Sequence, residues 1–134
     1  MRYLLDINIV IALSKQVPPV MDRLGQCLVS DLVLSSIVLA EIEYGIAKSA
    51  RQAHNREVFD ALLRGLPICN FDLSATRHYG PMRAEMERRG QLIGPYDLMI
   101  AAQALALDVT LVTDNSHEFS RVAGLRLENW LRPT

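Results

Sequence analysis

The sequence has little excess charge and few aromatic residues. Its 134 residues carry 14 lysines and arginines against 15 acidic side chains, so the formal net charge is -1. Because there is no excess of basic residues, the chain lacks the positive charge of proteins that cover long stretches of a polyanion such as nucleic acid. Half of its residues are hydrophobic, which together with the near-zero net charge excludes a disordered chain. This length is sufficient for one compact core.

Long apolar runs and cysteine pairs are also missing. The longest apolar run, over residues 7–13, is interrupted by Asn8 and falls far short of the roughly 20 residues of a membrane-spanning helix. A carboxylate at Asp6 comes too early for a signal peptide. Cys27 and Cys69 have no second ligand at metal-binding spacing. We therefore expect buried, reduced thiols in a cytoplasmic protein.

Short apolar strands alternate with helical segments along the chain. Strands are predicted at 3–5, 32–34, 67–69, 109–113 and near 125–127. Helices are predicted at about 8–15, 20–26, 52–64 and 95–107. In addition, Ser35 or Ser36 can cap a helix that runs to 48, and Asp72 or Ser74 one that runs to 89.

This alternation predicts an α/β fold with a parallel sheet and helices on both faces. The helix at 95–107 is apolar nearly all round, so it should be buried. We expect one domain over residues 1–134, because no repeat or linker interrupts the pattern. In parallel sheets, functional sites lie beyond the carboxyl ends of the strands. The residues that follow each predicted strand are therefore the first candidates for a site.

Four carboxylates stand at such positions. They are Asp6 at the end of the first strand, Glu41 in the helix after the second, Asp97 in the first turn of the buried helix, and Asp114 after the strand at 109–113. Crowded carboxylates repel one another and raise each other's pKa unless a cation joins them. Oxygen ligands favour Mg²⁺ or Mn²⁺, and zinc is disfavoured because no histidine or cysteine lies beside them.

Each of these acids also has an ordinary structural explanation. Asp6 can cap a helix, and Asp97 can stabilise the positive end of another. Glu41 can be an exposed helix glutamate, since acidic side chains are mostly exposed. Asp114 beside Asn115 suits a turn. The functional interpretation therefore depends on all four occurring where an α/β sheet forms its site.

Four segments carry a family resemblance. They are Leu4-Leu5-Asp6-x-Asn8-Ile9, Leu39-Ala40-Glu41-x-x-Tyr44-Gly45, Ile93-Gly94-Pro95-Tyr96-Asp97-x-Met99-Ile100-Ala101-Ala102 and Leu111-Val112-Thr113-x-Asn115. In this order and at this spacing they resemble the PIN-domain ribonucleases, and more narrowly the VapC toxins of bacterial type II toxin–antitoxin systems. The tail from Glu118 to Trp130 is similar to that of the enteric-like VapC group, so the resemblance covers the whole chain.

The resemblance implies a PIN-like α/β/α sandwich with a four- or five-stranded parallel sheet. It also implies a Mg²⁺- or Mn²⁺-dependent endoribonuclease whose catalytic and metal-binding acids are Asp6, Glu41 and Asp97. The family's fourth acid usually falls where this chain has Asn115. The neighbouring Asp114 is our candidate for that position, directly or through water, and otherwise the position has no carboxylate.

One further departure from the family pattern lies beside the first acid. Ile7 stands where the family usually has threonine, so a hydroxyl that supports the carboxylates is missing. Together with Asn115, this departure keeps a non-catalytic PIN-fold binding module open as an alternative. A different metal-dependent phosphoryl hydrolase is a second alternative.

The resemblance implies a biological role and partners as well. The expected protein is the toxic component of a toxin–antitoxin system, which cleaves RNA, with a tRNA anticodon stem-loop as the favoured target. A VapB-type antitoxin and a second copy of the chain are the expected partners, with no membrane involved. Chemically, carboxylate-bound metal would activate water for in-line attack on the phosphodiester.

Overall fold

Five short parallel strands form the centre of the molecule. The computed structural model describes residues 1–133. The strands are β1 (Tyr3–Leu5), β2 (Leu32–Ser35), β3 (Ile68–Cys69), β4 (Thr110–Val112) and β5 (Leu127–Glu128). They are hydrogen-bonded in the order β3-β2-β1-β4-β5, and each neighbouring pair is parallel. The predicted parallel α/β sheet is confirmed, with five strands.

Seven α-helices connect and flank these strands within residues 1–133. They are α1 (Ile7–Ser14), α2 (Pro18–Leu24), α3 (Ser36–Lys48), α4 (Gln52–Leu63), α5 (Leu73–Arg88), α6 (Pro95–Leu107) and α7 (Ser116–Phe119). A single 3₁₀ turn, Val29–Asp31, precedes β2. The sequence did not predict α7 or this turn, because segments of three or four residues show no helical periodicity.

The helix starts follow from capping residues. The Asp6 carboxylate accepts a hydrogen bond from the amide of Ile7 (2.8 Å) and so caps α1. In the same way, Ser35 caps α3 and Asp72 caps α5. Helix α2 begins two residues earlier than predicted, at Pro18, because the fixed φ and missing N–H of proline suit the first helical turn.

Strand order explains where a site can form. The chain runs outward from β1 through β2 to β3, and then crosses back to place β4 on the other side of β1. Because crossovers between parallel strands are right-handed, this reversal puts the two sets of connecting helices on opposite faces of the sheet. The strand order reverses between β1 and β4, and the crevice at such a point is where open α/β sheets bind ligands.

Burial confirms the predicted core. All three residues of β1 are buried. In α6, every residue from Leu98 to Ala104 is buried except Met99, which is half-buried. Cys27 and Cys69 are free thiols, as expected, but both are half-buried and not buried as predicted. No helix in the described part of the chain is both long and apolar enough to cross a membrane.

Removing a core side chain from β4 should destabilise the protein strongly. Leu111 is fully buried in the strand beside β1, so Leu111→Ala should lower the free energy of unfolding by about 2–5 kcal/mol. The control is Leu73→Ala, because Leu73 is 65% exposed, and its effect should stay within about 0.5 kcal/mol. Urea denaturation measures both. Equal effects of the two substitutions would contradict this packing.

Candidate active site

The carboxyl ends of β1 and β4 carry the centre of the candidate site. Leu5 of β1 pairs with Val112 of β4, so the residues that follow them, Asp6 and Thr113, lie side by side at the edge of the sheet. The Thr113 hydroxyl donates a 2.7 Å hydrogen bond to Oδ2 of Asp6. Two sequence segments more than 100 residues apart are thereby joined at the point where the strand order reverses.

Asp6 is almost fully enclosed, with 3% of its surface exposed. Its Oδ1 caps α1, while Oδ2 accepts from Thr113 and, at 3.4 Å, from the Asn8 side-chain amide. Burial raises the pKa of Asp6, and these hydrogen bonds oppose that rise. The capping and site interpretations of Asp6 are therefore compatible, because each oxygen has its own partners.

A network of amide side chains fixes the loop after β4. The Asn8 side-chain oxygen accepts from the amide of Asp114 (2.9 Å), and the Thr113 hydroxyl oxygen accepts from the amide of Asn115 (2.9 Å). The first contact ties this loop to the β1–α1 segment, and the second lies within the loop itself. Although position 7 is an isoleucine, the hydroxyl of Thr113 lies next to Asp6 and donates to it.

Ile7 itself serves packing. Its half-buried side chain lines a cavity of about 280 Å³ together with Ile11, Ile46 and Phe59, and Glu41 closes one side of it. An apolar residue therefore fits this position, because it faces the groove between α1, α3 and α4.

Asp97 and Glu41 lie within electrostatic reach of Asp6. Burial raises the pKa of Asp97 to about 6, with further contributions from the negative charges of Asp6 and Glu118. Burial also raises the pKa of Glu41, and the charges of Asp6 and Asp97 add to this rise. Glu41 is half-buried, so it is not the exposed helix glutamate that its ordinary structural explanation predicted. Three of the four predicted acids thus come together.

Asp114 has different partners. Its Oδ1 accepts from Nδ2 of Asn129 (3.0 Å) and from Nε of Arg132 (2.9 Å). The hydrogen bond from Asn129, and then the bond and charge of Arg132, lower the pKa of Asp114. It contributes nothing to the raised pKa of Asp97. The structure therefore does not bring the Asp114 carboxylate to the other acids, because the C-terminal segment holds it.

Glu118 is the acid that sequence reasoning missed. The Asn115 side-chain amide donates to both Oε2 of Glu118 (3.3 Å) and Oδ2 of Asp97 (3.5 Å). Glu118 lies in α7, three residues after Asn115 and so one helical turn away. The three-residue spacing of Asn115 and Glu118 was visible in the sequence. It brings their side chains together only because a helix begins at Ser116, shortly after β4.

The donor set suits a hard divalent cation. Its groups are carboxylates that repel one another, and a cation relieves that repulsion. Among residues 1–133, no three histidine, cysteine or acidic side chains are placed to enclose a metal ion by themselves. Mg²⁺ does not require such an enclosure, because proteins often hold it through one or two carboxylates, with water and substrate phosphate as the other ligands.

Comparison with known proteins identifies the family of the chain. The PIN domain family model matches residues 3–125. Ribonuclease VapC2 of Rickettsia felis is 42% identical over 132 residues, which cover 97% of this chain and 98% of the relative. The tRNA(fMet)-specific endonuclease VapC of Shigella flexneri is 35% identical over 130 residues, again 97% and 98% of the two chains.

A solved complex shows the same fold. The crystal structure of VapBC2 from Rickettsia felis bound to a DNA fragment from their promoter contains a chain that matches with a TM-score of 0.90 and 40% sequence identity. The match covers 97% of this chain and 99% of that one.

Neutralising Asp97 should stabilise the metal-free protein at neutral pH. The folded-state pKa of about 6 lies above the ordinary value of 3.8, so the charged carboxylate costs stability that increases as the pH rises between these values. In EDTA at pH 7.5, Asp97→Asn should therefore unfold with a free energy higher by on the order of 1 kcal/mol, after allowing for solvent screening. The gain should vanish near pH 4, as followed by urea denaturation.

The opposite result would identify Asp97 as a purely structural residue. A carboxylate that only stabilises a helix N-terminus contributes about 0.3–1 kcal/mol. In that case Asp97→Asn would be less stable than the wild type at pH 7.5. Asp60→Asn, at an exposed position of α4, controls for the loss of one negative charge.

Proposed function

Because this chain belongs to the PIN-domain family and, within it, to the VapC ribonucleases, we propose that it is the toxin of a type II toxin–antitoxin system and hydrolyses RNA phosphodiester bonds. The observation that carries this proposal is the group of three mutually repelling carboxylates, Asp6, Glu41 and Asp97, at the reversal point of the sheet. Clustered acids with raised pKa values at such a position are typical of a catalytic site.

A divalent cation would complete this site, and we propose Mg²⁺, with Mn²⁺ as a substitute. Asp6 and Asp97 would hold it, and Glu41 lies close enough for its charge to act on both. When bound, such an ion supplies a Lewis acid for the phosphate and an activated water. The chain's own contribution is to hold several carboxylates close together. Their mutual repulsion lowers the stability of the fold, and a bound cation would offset this loss.

The surrounding residues orient these acids. Thr113 and Asn8 hold the Asp6 carboxylate from two directions. Asn115 contacts Asp97 and Glu118, and so controls the distance between their carboxylates. We propose that Glu118 supplies the fourth carboxylate, in the place for which the sequence suggested Asp114. The reason is that Asn115 can join Glu118 to Asp97, whereas Arg132 neutralises Asp114.

The relatives suggest the substrate and the partners. One of them is named for cleavage of tRNA(fMet), and we propose a tRNA anticodon stem-loop as the substrate here. Proteins read RNA mainly at such loops, where bases are unstacked. We also propose a VapB-type antitoxin, since the matching solved structure is a VapBC complex. An acidic site suits a basic antitoxin segment that folds on binding. A homodimer completes the proposed assembly.

The non-catalytic alternative rests on Ile7 and Asn115. Two contacts count against it. The Thr113 hydroxyl donates to Asp6, so the first acid keeps a hydroxyl donor, and Asn115 links Asp97 to an additional acid, Glu118. A phosphatase with an aspartyl nucleophile usually needs a second aspartate two residues after the first, and this chain has Asn8 there.

Cleavage should depend on the metal and on Asp97. The wild type should cut a tRNA stem-loop in Mg²⁺ or Mn²⁺ and should not cut it in EDTA. Asp97→Asn should lower the rate by at least about 100-fold, because it removes charge that a metal ion needs, while the protein stays folded. The matched control Asp60→Asn should cleave normally. Full cleavage in EDTA would disprove metal-dependent catalysis.

Two carboxyl-to-amide substitutions distinguish the candidates for the fourth acid. Glu118→Gln should reduce cleavage by about 10–100-fold, the usual effect of a residue that supports metal ligands. Asp114→Asn should have a smaller effect, because Asp114 already pairs with Arg132. Single-turnover rates at saturating Mg²⁺ measure both. If Asp114→Asn proves the more damaging, Asp114 contributes to the site despite its pairing in this structure.

A further inference from the structure

A cavity lies next to the acidic cluster, with Glu41 common to both. It has a volume of about 330 Å³ and is lined by Ile37, Ala40, Glu41, Tyr44 and Tyr96. Glu41 is its one charged residue, and the other walls are aliphatic or aromatic. Tyr44 is 66% exposed and Tyr96 is 62% exposed, which is unusual for large apolar rings. We call this cavity the tyrosine cleft.

We propose that the tyrosine cleft binds an unstacked nucleobase of the RNA strand that is cut. The proposal rests on the ribonuclease function proposed above and adds a substrate subsite to it. In this arrangement the two tyrosines provide ring faces for the base, and Ile37 and Ala40 form the apolar floor.

The position of the cleft favours an RNA base as its occupant. Glu41 belongs both to the cleft and to the acidic cluster, and Tyr96 directly precedes Asp97. A phosphate that reaches the carboxylates through a cation therefore has its neighbouring nucleotides beside the cleft. The cleft cannot favour the phosphate itself, because Glu41 would repel it.

The chemistry of the walls also fits a base. Aromatic side chains stack on bases of any sequence, since every base has a π face. Tyrosine loses little conformational entropy on binding, because it has two side-chain torsions. The Lys48 ammonium lies 4.9 Å from the centre of the Tyr44 ring, so a positive charge borders one wall of the cleft. With a net charge of -1, the chain needs such local contacts to hold RNA.

Steady-state kinetics on a tRNA stem-loop test the proposal. Tyr44→Ala and Tyr96→Ala should each raise KM by about 5- to 150-fold, the range for loss of one stacking contact. Tyr44→Phe and Tyr96→Phe should restore binding, because the ring face remains. Leu28→Ala is the control, since Leu28 is 70% exposed and lies outside the cleft. Failure of the wild type to cleave RNA would disprove the proposed function; cleavage with unchanged KM in both alanine variants would disprove the subsite alone.

Abasic substitution identifies the base. Loop nucleotides of the stem-loop are replaced one at a time by abasic ribonucleotides, and KM is measured with the wild type and the alanine variants. At one position the abasic RNA should weaken wild-type binding as much as the tyrosine substitution does, and the two losses should not add. Additive losses at every position would overturn the proposal. So would a changed oligomeric state of the alanine variants, measured by size-exclusion chromatography, which would make the cleft an interface between copies.

Discussion

The hydrogen bond from the Thr113 hydroxyl to Asp6 is the contact on which the site depends. At 2.7 Å it joins the ends of the two strands between which the sheet order reverses. The same hydroxyl accepts a hydrogen bond from the backbone amide of Asn115. The side-chain amide of Asn115 in turn donates to the carboxylates of Asp97 and Glu118. One threonine therefore links the acid of β1 to the acids of α6 and α7.

Charge crowding is the second constraint on this structure. Asp6, Glu41 and Asp97 all have raised pKa values, with burial as the first cause and, for the latter two, neighbouring negative charge as the next. Within residues 1–133, no arginine contributes to these three shifts, whereas Asp114 pairs with Arg132. The fold thus leaves the clustered acids uncompensated. This is the arrangement that a cation and an RNA phosphate would complete, and it is the basis of the proposed function.

Much of the architecture was predictable because its signals are local. Capping by Ser35 and Asp72, proline at the start of α6 and the β-branched run before Asp114 all act over a few residues. The sheet order and its reversal were not predictable in this way. They depend on pairings such as Leu5 with Val112, which are distant in sequence. The site residues stay a proposal, although the structure places three of them within reach of one another.

The sequence by itself determined the fold class and the positions of Asp6 and Asp97, because residues at strand ends and first helical turns follow from local patterning. Glu41 lies in the second turn of α3 and was singled out as an acid in the helix that follows β2. The proposal of Glu118 in place of Asp114 depends on tertiary contacts alone. Asp114 is the second residue after β4, but Asn129 and Arg132 hold its carboxylate from the C-terminal segment. Glu118 becomes a neighbour of Asp97 because a four-residue helix begins after β4. Side-chain direction at a strand end is set by such distant partners, and their positions exist only in the folded chain.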